Sequence, residues 1–251
     1  MRSAVAILLI TVGSLAACHA PAHGSTAAPA SVSPAPPTAT KPSPSPSPSP
    51  SPSPVKPKVS KAALDYFFTV ALEAKSTAVV NRWTDELVTV RAHGFSKAAT
   101  TCLTRTITDF NALSKTTDLQ LADGPGDIEI SIAPLAKFRS LDPGYDYAAD
   151  DVAYFSTDWA QEHQINKATI LIRSDGTTAS ERCRLIRGEL TESMGLTEES
   201  SKHPSSIFYS EYSDAPAQYS ALDKAVIRLM YDGAIQPGDD RKTITSRVTV
   251  S

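Results

Sequence analysis

The ten residues RGELTESMGL, at 187–196, come closer to an active-site pattern than any other stretch of this chain. Glu189 and Glu192 stand three residues apart, so on a helix they lie side by side on one face. A carboxylate placed in this way can polarise an attacking water as a general base. Carboxylates also bind Ca²⁺, Mg²⁺ or Mn²⁺, with Glu198 downstream as a further ligand. Glu189 is therefore a candidate catalytic residue, and Glu192 and Glu198 are candidate metal ligands.

The same glutamates also have simpler interpretations. A buried carboxylate is tolerated only with partners, and Arg184 or Arg187 stands near enough in sequence to pair with Glu189. Glutamates that follow one another along a helix more often form a solvated face. That interpretation covers Glu192, Glu198 and Glu199, and the sequence leaves it open beside the catalytic and metal-binding ones.

Other candidate side chains give weaker indications of a functional site. His203 precedes Pro204, but one imidazole cannot assemble a metal site. Tyr212 and Tyr219 either line a groove that holds an extended peptide or pack the loop on which they stand. The chain has no nucleophile elbow, no phosphate-binding glycine loop and no zinc-knuckle spacing.

The elements that position these residues follow from hydrophobic periodicity. A helix begins at Thr178 or Ser180 and runs to Met194, where Gly195 ends it. Helical spacing also predicts helices over 61–75, over 96–114 with Ser96 as N-cap, and from about Ser220. Strands are predicted at RWTDELVTVRAHG, LQLA, DIEISIAP, VAYFSTD and KATILIRSD. We expect one domain of mixed α/β (α+β) class, with helices packed on a twisted mixed sheet.

The predicted helix resembles the zinc-binding helix of the zincin peptidases, which reads His-Glu-x-x-His. Glu189 takes the place of the glutamate, and Gly195 takes that of the glycine that follows in the metzincin branch. Gly188 and Glu192 stand where the two histidines belong, and Glu198 stands where the third would be. This resemblance implies a metzincin-like architecture that lacks every zinc-ligand histidine.

A second stretch extends this resemblance. PSSIFY, at 204–209, is similar to the SIMY turn of matrixin-type metzincins, with Phe208 in place of the methionine. The helix predicted in YSALDKAVIRLMYDG resembles the closing helix of those enzymes. The residues that carry the motif are Glu189, Gly195, Ser206, Ile207 and Phe208.

The chain resembles one bacterial family more closely than it does the zinc enzymes. ERCRLIRGELTESMGL, HPSSIFYS, LDKAVIRLMYDGAIQPG, VVNRW and DIEISIAP are similar to the domain of unknown function 2927 family, over about 62–238. Its members are exported proteins and lipoproteins, and its helix typically reads Arg-Glu-Glu-Leu-Thr-Gln-x-x-Gly-Leu. This chain departs from that pattern at Gly188 and Glu192. The family resemblance implies no particular activity.

The N-terminal region indicates export. Arg2 precedes the apolar run AVAILLITVGSLAA, which is too short for a comfortable membrane span. The run ends in LAAC, which resembles a lipobox, so we expect a signal peptide over 1–17 and acyl chains such as palmitate on Cys18. The alternative is an ordinary signal peptide with a chance cysteine. The lipid would anchor the protein to a bacterial membrane, with its domain facing the periplasm or the extracellular space.

A spacer separates this anchor from the part that folds. Residues 18–57 are rich in Pro and Ser and end in KPSPSPSPSPSPSPVKP, where alternating prolines prevent helix and sheet. We expect a disordered stalk with polyproline II character, and the rival interpretation is a ligand for an SH3-type domain. The folding domain is then 58–251.

The chain contains three cysteines. If Cys18 carries lipid, Cys102 and Cys183 remain as a pair in an oxidising compartment. A disulfide between them is expected, and two separate buried thiols are the alternative.

Charge and composition exclude some functions. The formal net charge is −3 with no basic stripe, which excludes nucleic acid as a partner. We expect a monomeric envelope lipoprotein without a cofactor, whose metal-free pseudo-peptidase domain binds a protein or peptide. The alternatives are a hydrolase that uses Glu189 with a non-histidine metal site, and a purely structural envelope protein.

Overall fold

A computed structural model of the chain describes residues 56–72, 78–210 and 218–251. The predicted signal peptide (1–17), Cys18 and nearly all of the stalk lie outside these residues, as does Tyr212. Within the described part, no helix is both long enough and apolar enough to cross a membrane.

The described residues form six helices and seven strands. The helices are α1 (Lys61–Ala71), α2 (Lys97–Asn111), α3 (Phe138–Leu141), α4 (Ala179–Glu192), α5 (Ala221–Tyr231) and α6 (Arg241–Arg247). The strands are β1 (Lys58–Val59), β2 (Leu87–His93), β3 (Asp118–Leu121), β4 (Ile128–Ala133), β5 (Ala153–Trp159), β6 (Ile165–Arg173) and β7 (Thr249–Val250). The mixed α/β class predicted from the sequence is confirmed.

The main sheet has five strands in the order β3-β2-β4-β6-β5. Strands β2, β3, β4 and β6 run parallel, and β5 runs antiparallel to β6 at one edge. A separate parallel pair, β1 and β7, joins the two ends of the described chain. Parallel strands are normally covered on both faces, and β6 has that pattern because Ile170, Leu171 and Ile172 are all buried.

The two faces of the sheet are covered differently. The main core lies between one face and the helices, where α2 packs against α4 and α1 packs against α5. A smaller cluster covers the other face at β6 and consists of Leu135, Phe138, Tyr145 and Leu171, with Tyr154 of β5 beside it. The strand β5 therefore has packing on its faces while one of its edges stays unpaired within the described residues.

Most predicted helix starts agree with the structure. The hydroxyls of Ser60, Ser96 and Ser220 accept a hydrogen bond from the backbone N–H three residues on, as an N-cap does. The sequence predicts no helix after the one that begins near Ser220, whereas α6 follows it in the structure. Ile244 is the buried residue of α6, so this helix has no apolar stripe from which to predict it.

Candidate functional site

The helix α4, which carries Glu189, has a well-defined start. Thr178 and Glu181 form a capping box, in which Glu181 N–H donates to Thr178 Oγ1 (3.2 Å) and Thr178 N–H donates to the Glu181 carboxylate (2.5 Å). These hydrogen bonds lower the pKa of Glu181. The start expected at Thr178 or Ser180 is therefore at Thr178.

The C-terminal end of α4 is as well defined as its start. Gly195 has φ +96°, and a Cβ added there would stand 2.1 Å from the carbonyl oxygen of Asn81, so no other residue fits. Trp83 Nε1 donates to Ser193 O (3.0 Å) and Tyr231 Oη donates to Met194 O (2.7 Å). These buried donors satisfy carbonyls that the end of a helix leaves open.

A disulfide ties α4 to its neighbour. Cys102 of α2 and Cys183 of α4 are bonded, with their Cα atoms 5.6 Å apart and a sequence separation of 81. The pairing expected from the cysteine count is therefore present. It holds the first half of α4 against α2, and the glutamates follow in the next turns.

Three glutamates, Glu189, Glu192 and Glu199, form a group that we call the carboxyl trio. Glu192 is 6% exposed, whereas Glu189 and Glu199 are partly exposed. The charge of Glu199 raises the pKa of Glu189, and the charges of Glu189 and Glu199 raise the pKa of Glu192. The interpretation of Glu192 as part of a solvated face is therefore wrong, because its side chain is buried.

The electrostatics of the trio favour protonated carboxyls. Burial, followed by the charge of Glu199, raises the pKa of Glu189 to about 8, while Arg184 acts in the opposite direction. Burial and then the charge of Glu189 raise the pKa of Glu192 well above its ordinary value. Burial also raises the pKa of Glu199. Near neutral pH the group therefore holds protons that free glutamates would have lost.

The two arginines proposed as partners for Glu189 behave differently. Arg184 is close enough that Glu189 is the strongest charge acting on it. Arg187 is 1% exposed, and its Nη2 donates to Asp109 of α2 (2.7 Å) while its guanidinium lies over the ring of Tyr219 at 4.6 Å. Arg184 is thus the cation of the trio, and Arg187 joins α4 to α2 and to the residue before Ser220.

Residues 206–208 form a buried turn held by a chain of hydrogen bonds. Ser206 Oγ donates to Asp223 Oδ1 (2.6 Å), which leaves the hydroxyl of Tyr66 as the donor to Ser206 Oγ (2.6 Å). Ile207 N–H donates to Asp223 Oδ2 (3.2 Å), and Phe208 is buried. Asp223 thus fixes the stretch that resembles a metzincin turn to the first turn of α5.

Sequence reasoning missed Tyr66 and Asp223. Tyr66 lies 140 residues from its partner, so nothing local indicates the contact. The position of Asp223 could have been recognised from the sequence, because it stands three residues after Ser220 and completes a capping box there.

Gly188 lies on a buried face of α4, beside the turn at 206–208. A Cβ added to Gly188 would have the carbonyl oxygen of Ile207, at 3.9 Å, as its near neighbour. That distance is an ordinary van der Waals contact, so a Cβ is tolerated at Gly188.

The residues present do not fit the zinc of the zincin class. Within 56–72, 78–210 and 218–251, no three His, Cys, Asp or Glu side chains converge in the arrangement of a metal site. Gly188 contributes no ligand atom, and the trio offers carboxylates where zinc sites use imidazole or thiolate. The candidate ligand pair Glu192 and Glu198 therefore has no convergent third ligand in the described chain.

The remaining candidates are packing residues. The ring of His203 meets that of Tyr66 edge-on, with centroids 4.7 Å apart. Tyr219 is buried, and its hydroxyl is 2.7 Å from Thr191 Oγ1. This contact supports the interpretation that Tyr219 packs the loop.

The strand β5 begins beside the trio. Asp151, two residues before β5, is close enough to raise the pKa of Glu189, and α4 packs against β5 and β6. Arg173 N–H donates to Val152 O (2.9 Å), so Val152 belongs to a hydrogen-bonded pair with β6. By the antiparallel alternation, Ala153, Phe155 and Thr157 direct their backbone N–H and C=O groups to the free edge.

Comparison with known proteins identifies the family of this chain and solved structures with a similar fold. The sequence profile of the family described as "Protein of unknown function (DUF2927)" matches residues 60–249, which include the span indicated by the sequence motifs. No curated protein sequence matches the chain significantly.

Two solved structures of myroilysin, a metzincin-type peptidase, are similar to the chain. One has a TM-score of 0.42 and 13% identity over 61% of this chain and 98% of its own. The other has a TM-score of 0.42 and 11% identity over 60% of this chain and 86% of its own. At this level of identity the likeness is one of fold alone.

Proposed function

The chain belongs to the DUF2927 family of proteins of unknown function, and we propose that its domain binds an extended polypeptide along the free edge of β5 without cutting it. The observation that carries this proposal is the position of that edge. It starts next to the carboxyl trio, and no described strand pairs with it.

An unpaired edge can accept one more strand, since backbone groups there have no partner in the sheet. Ala153, Phe155 and Thr157 would supply the hydrogen bonds, and the side chains of the added strand would alternate toward and away from α4. The register with β6 is regular from Ala153 to Asp158, and the one irregularity lies between Asp158 and Trp159. The segment from Ala153 to Thr157 is thus free of a bulge that would interrupt pairing with an added strand.

Binding without cutting is supported by the chemistry of α4. Hydrolysis of a peptide bond by a zincin needs a cation that activates water. The helix has Gly188, which offers no ligand atom, where the first histidine would stand, and no three His, Cys, Asp or Glu side chains of the described residues converge as a metal site. The observations therefore favour binding over the alternative of a hydrolase built on Glu189.

The predicted export signals indicate where in the cell this binding would occur. An acyl anchor on Cys18 and a Pro- and Ser-rich stalk over 18–57 would hold the domain away from a bacterial membrane. We propose that the protein is a lipoprotein of the cell envelope and that its partner is a protein segment on the outer side of that membrane.

Removing one backbone donor from β5 tests the binding mode. Thr157→Pro deletes an N–H that faces the free edge and leaves the ladder to β6 intact. The probe is a labelled, blocked peptide, roughly nine residues long, of alternating valine and threonine with a central lysine. Thr157→Pro is expected to weaken its binding about tenfold in fluorescence anisotropy, the effect of losing one or two hydrogen bonds.

Thr157→Val is the matched control, because it changes the side chain and keeps the N–H. It should bind the peptide as the unchanged protein does. Equal affinities for all three proteins would show that the peptide does not pair with β5. Circular dichroism of each variant verifies that the sheet is intact.

A further inference from the structure

The two outer strands of the main sheet, β3 and β5, differ in how their free edges are finished. Within the described residues, neither pairs with a further strand. In β3, Asp118 N–H donates to the carbonyl of Glu86 (2.8 Å), an exposed residue beside β2. Successive residues of a strand direct their N–H and C=O groups to opposite sides, so Leu119 and Leu121 direct theirs to the free edge.

Asn111, the last residue of α2, covers that edge at Leu119. Its Nδ2 donates to Leu119 O (2.9 Å), and its Oδ1 accepts from Leu119 N–H (2.8 Å). A side-chain amide has the same kinds of donor and acceptor as a peptide group. Asn111 therefore makes the pair of hydrogen bonds that a residue of an added strand would make, and Leu121 is the one outward residue of β3 that lies beyond it.

The β5 edge lacks such a cover in the part of the chain that the structure describes. No hydrogen bond among the described residues joins a side chain to the outward N–H or C=O groups of Ala153, Phe155 or Thr157. Two open edges on one sheet would let copies of the chain add to one another, with β3 of one copy beside β5 of the next. Such a contact joins two different surfaces, so it does not close into a dimer and the assembly can grow.

We propose that Asn111 keeps the β3 edge closed to the free β5 edge of a second copy of this chain. The β3 edge is within reach of a partner, because Asp118, Gln120 and Leu121 are exposed, Leu121 by 39%. Asn111 thus leaves β5 as the open edge of the main sheet. This inference goes beyond the proposed function, since it uses the β5 edge but needs no peptide partner.

Sedimentation velocity of Asn111→Ala tests the closed edge. Without the amide, Leu119 and Leu121 can form about four hydrogen bonds with β5 of another copy, a contact with a Kd on the order of 1 mM. At about 1 mM protein, the average mass of Asn111→Ala is expected to be about twice that of the unchanged protein. Asn111→Leu has a side chain of similar size that can make neither hydrogen bond, and it should associate to a similar extent.

Two further variants locate the contact. Thr104→Ala shortens an exposed side chain elsewhere on α2 and should keep the mass of the unchanged protein. Adding Thr157→Pro to Asn111→Ala removes an outward N–H of β5, so the average mass should fall back close to that of the unchanged protein. Circular dichroism of each variant verifies that it is folded.

The outcomes decide this inference separately from the proposed function. If Asn111→Ala and Asn111→Leu are folded and keep the mass of the unchanged protein, Asn111 does not close the edge. Association that Thr157→Pro leaves unaltered also overturns the inference, because the contact then does not use β5. Association that Thr157→Pro reverses, together with no peptide binding by the unchanged protein, would support the closed edge and overturn the proposed function.

Discussion

Removing the disulfide between Cys102 and Cys183 is expected to lower the free energy of unfolding by about 3–5 kcal/mol. The bond closes a loop with a sequence separation of 81 residues, and a cross-link over a long loop removes much entropy from the unfolded chain. The double variant Cys102→Ser/Cys183→Ser, compared with the unchanged protein by urea denaturation, gives the difference directly.

Serine at both positions removes the cross-link without a reductant, and Cys18 is the same in both proteins. A loss below about 1 kcal/mol would contradict the account, because it would mean that the cross-link does not constrain the unfolded state. The single variants are unsuitable controls, since each leaves a free thiol able to pair with another chain.

The free energy of unfolding is expected to fall as the pH rises from about 5 to about 8. The folded pKa of Glu189 is about 8, while an unfolded glutamate titrates near 4.3. Between these values the folded protein binds a proton that the unfolded chain has released, so raising the pH favours unfolding. The contribution is full below about pH 4.3 and is lost as the pH rises through the folded pKa, at up to about 1.4 kcal/mol per pH unit. Glu192 acts in the same direction.

Two groups with lowered pKa values act below this window. The pKa values of Glu181 and Asp240 are lowered by hydrogen bonds from Thr178 and Thr243, so the stability they contribute is lost only as the pH falls below their ordinary range. Around the trio, Arg184 opposes the shift, and Asp151 and Glu198 add to it.

Urea denaturation at several pH values measures how steeply the free energy of unfolding falls as the pH rises. The variant Glu189→Gln/Glu192→Gln should flatten it, and Glu86→Gln should leave it as it is. A stability that rises between pH 5 and pH 8, or a slope unaffected by the double variant, would refute the assignment of raised pKa values to the trio.

The positions of the main helices could be predicted because their ends have chemical signatures. Thr178 caps α4, and Gly195 ends it with a backbone conformation and a close approach that only glycine permits. The cysteine pair was predictable from composition and the expected compartment. By contrast, β1 and β7 have two residues each, too few to show a period.

The candidate site was predictable in its location and only partly in its geometry. The spacing of Glu189 and Glu192 placed them on one face of α4, but no local pattern indicates that Glu192 is buried. The sequence could not decide whether Arg184 or Arg187 is the partner of Glu189. Arg187 is engaged by Asp109 of α2 instead, and this is a tertiary contact. Tyr66 and Asp151 reach the site from distant parts of the chain, so only the fold brings them there.

The most direct test of the central claim, that this domain holds a polypeptide and does not cut it, is mass spectrometry of a bound peptide. The lysine-containing peptide is incubated with the protein in the presence of Zn²⁺, Ca²⁺ or Mn²⁺, and its mass is followed over a day beside a Glu189→Gln sample. The account predicts that the peptide keeps its full mass in every sample while anisotropy shows it bound. Fragments that appear with the unchanged protein and a metal ion, and not with Glu189→Gln, would contradict it.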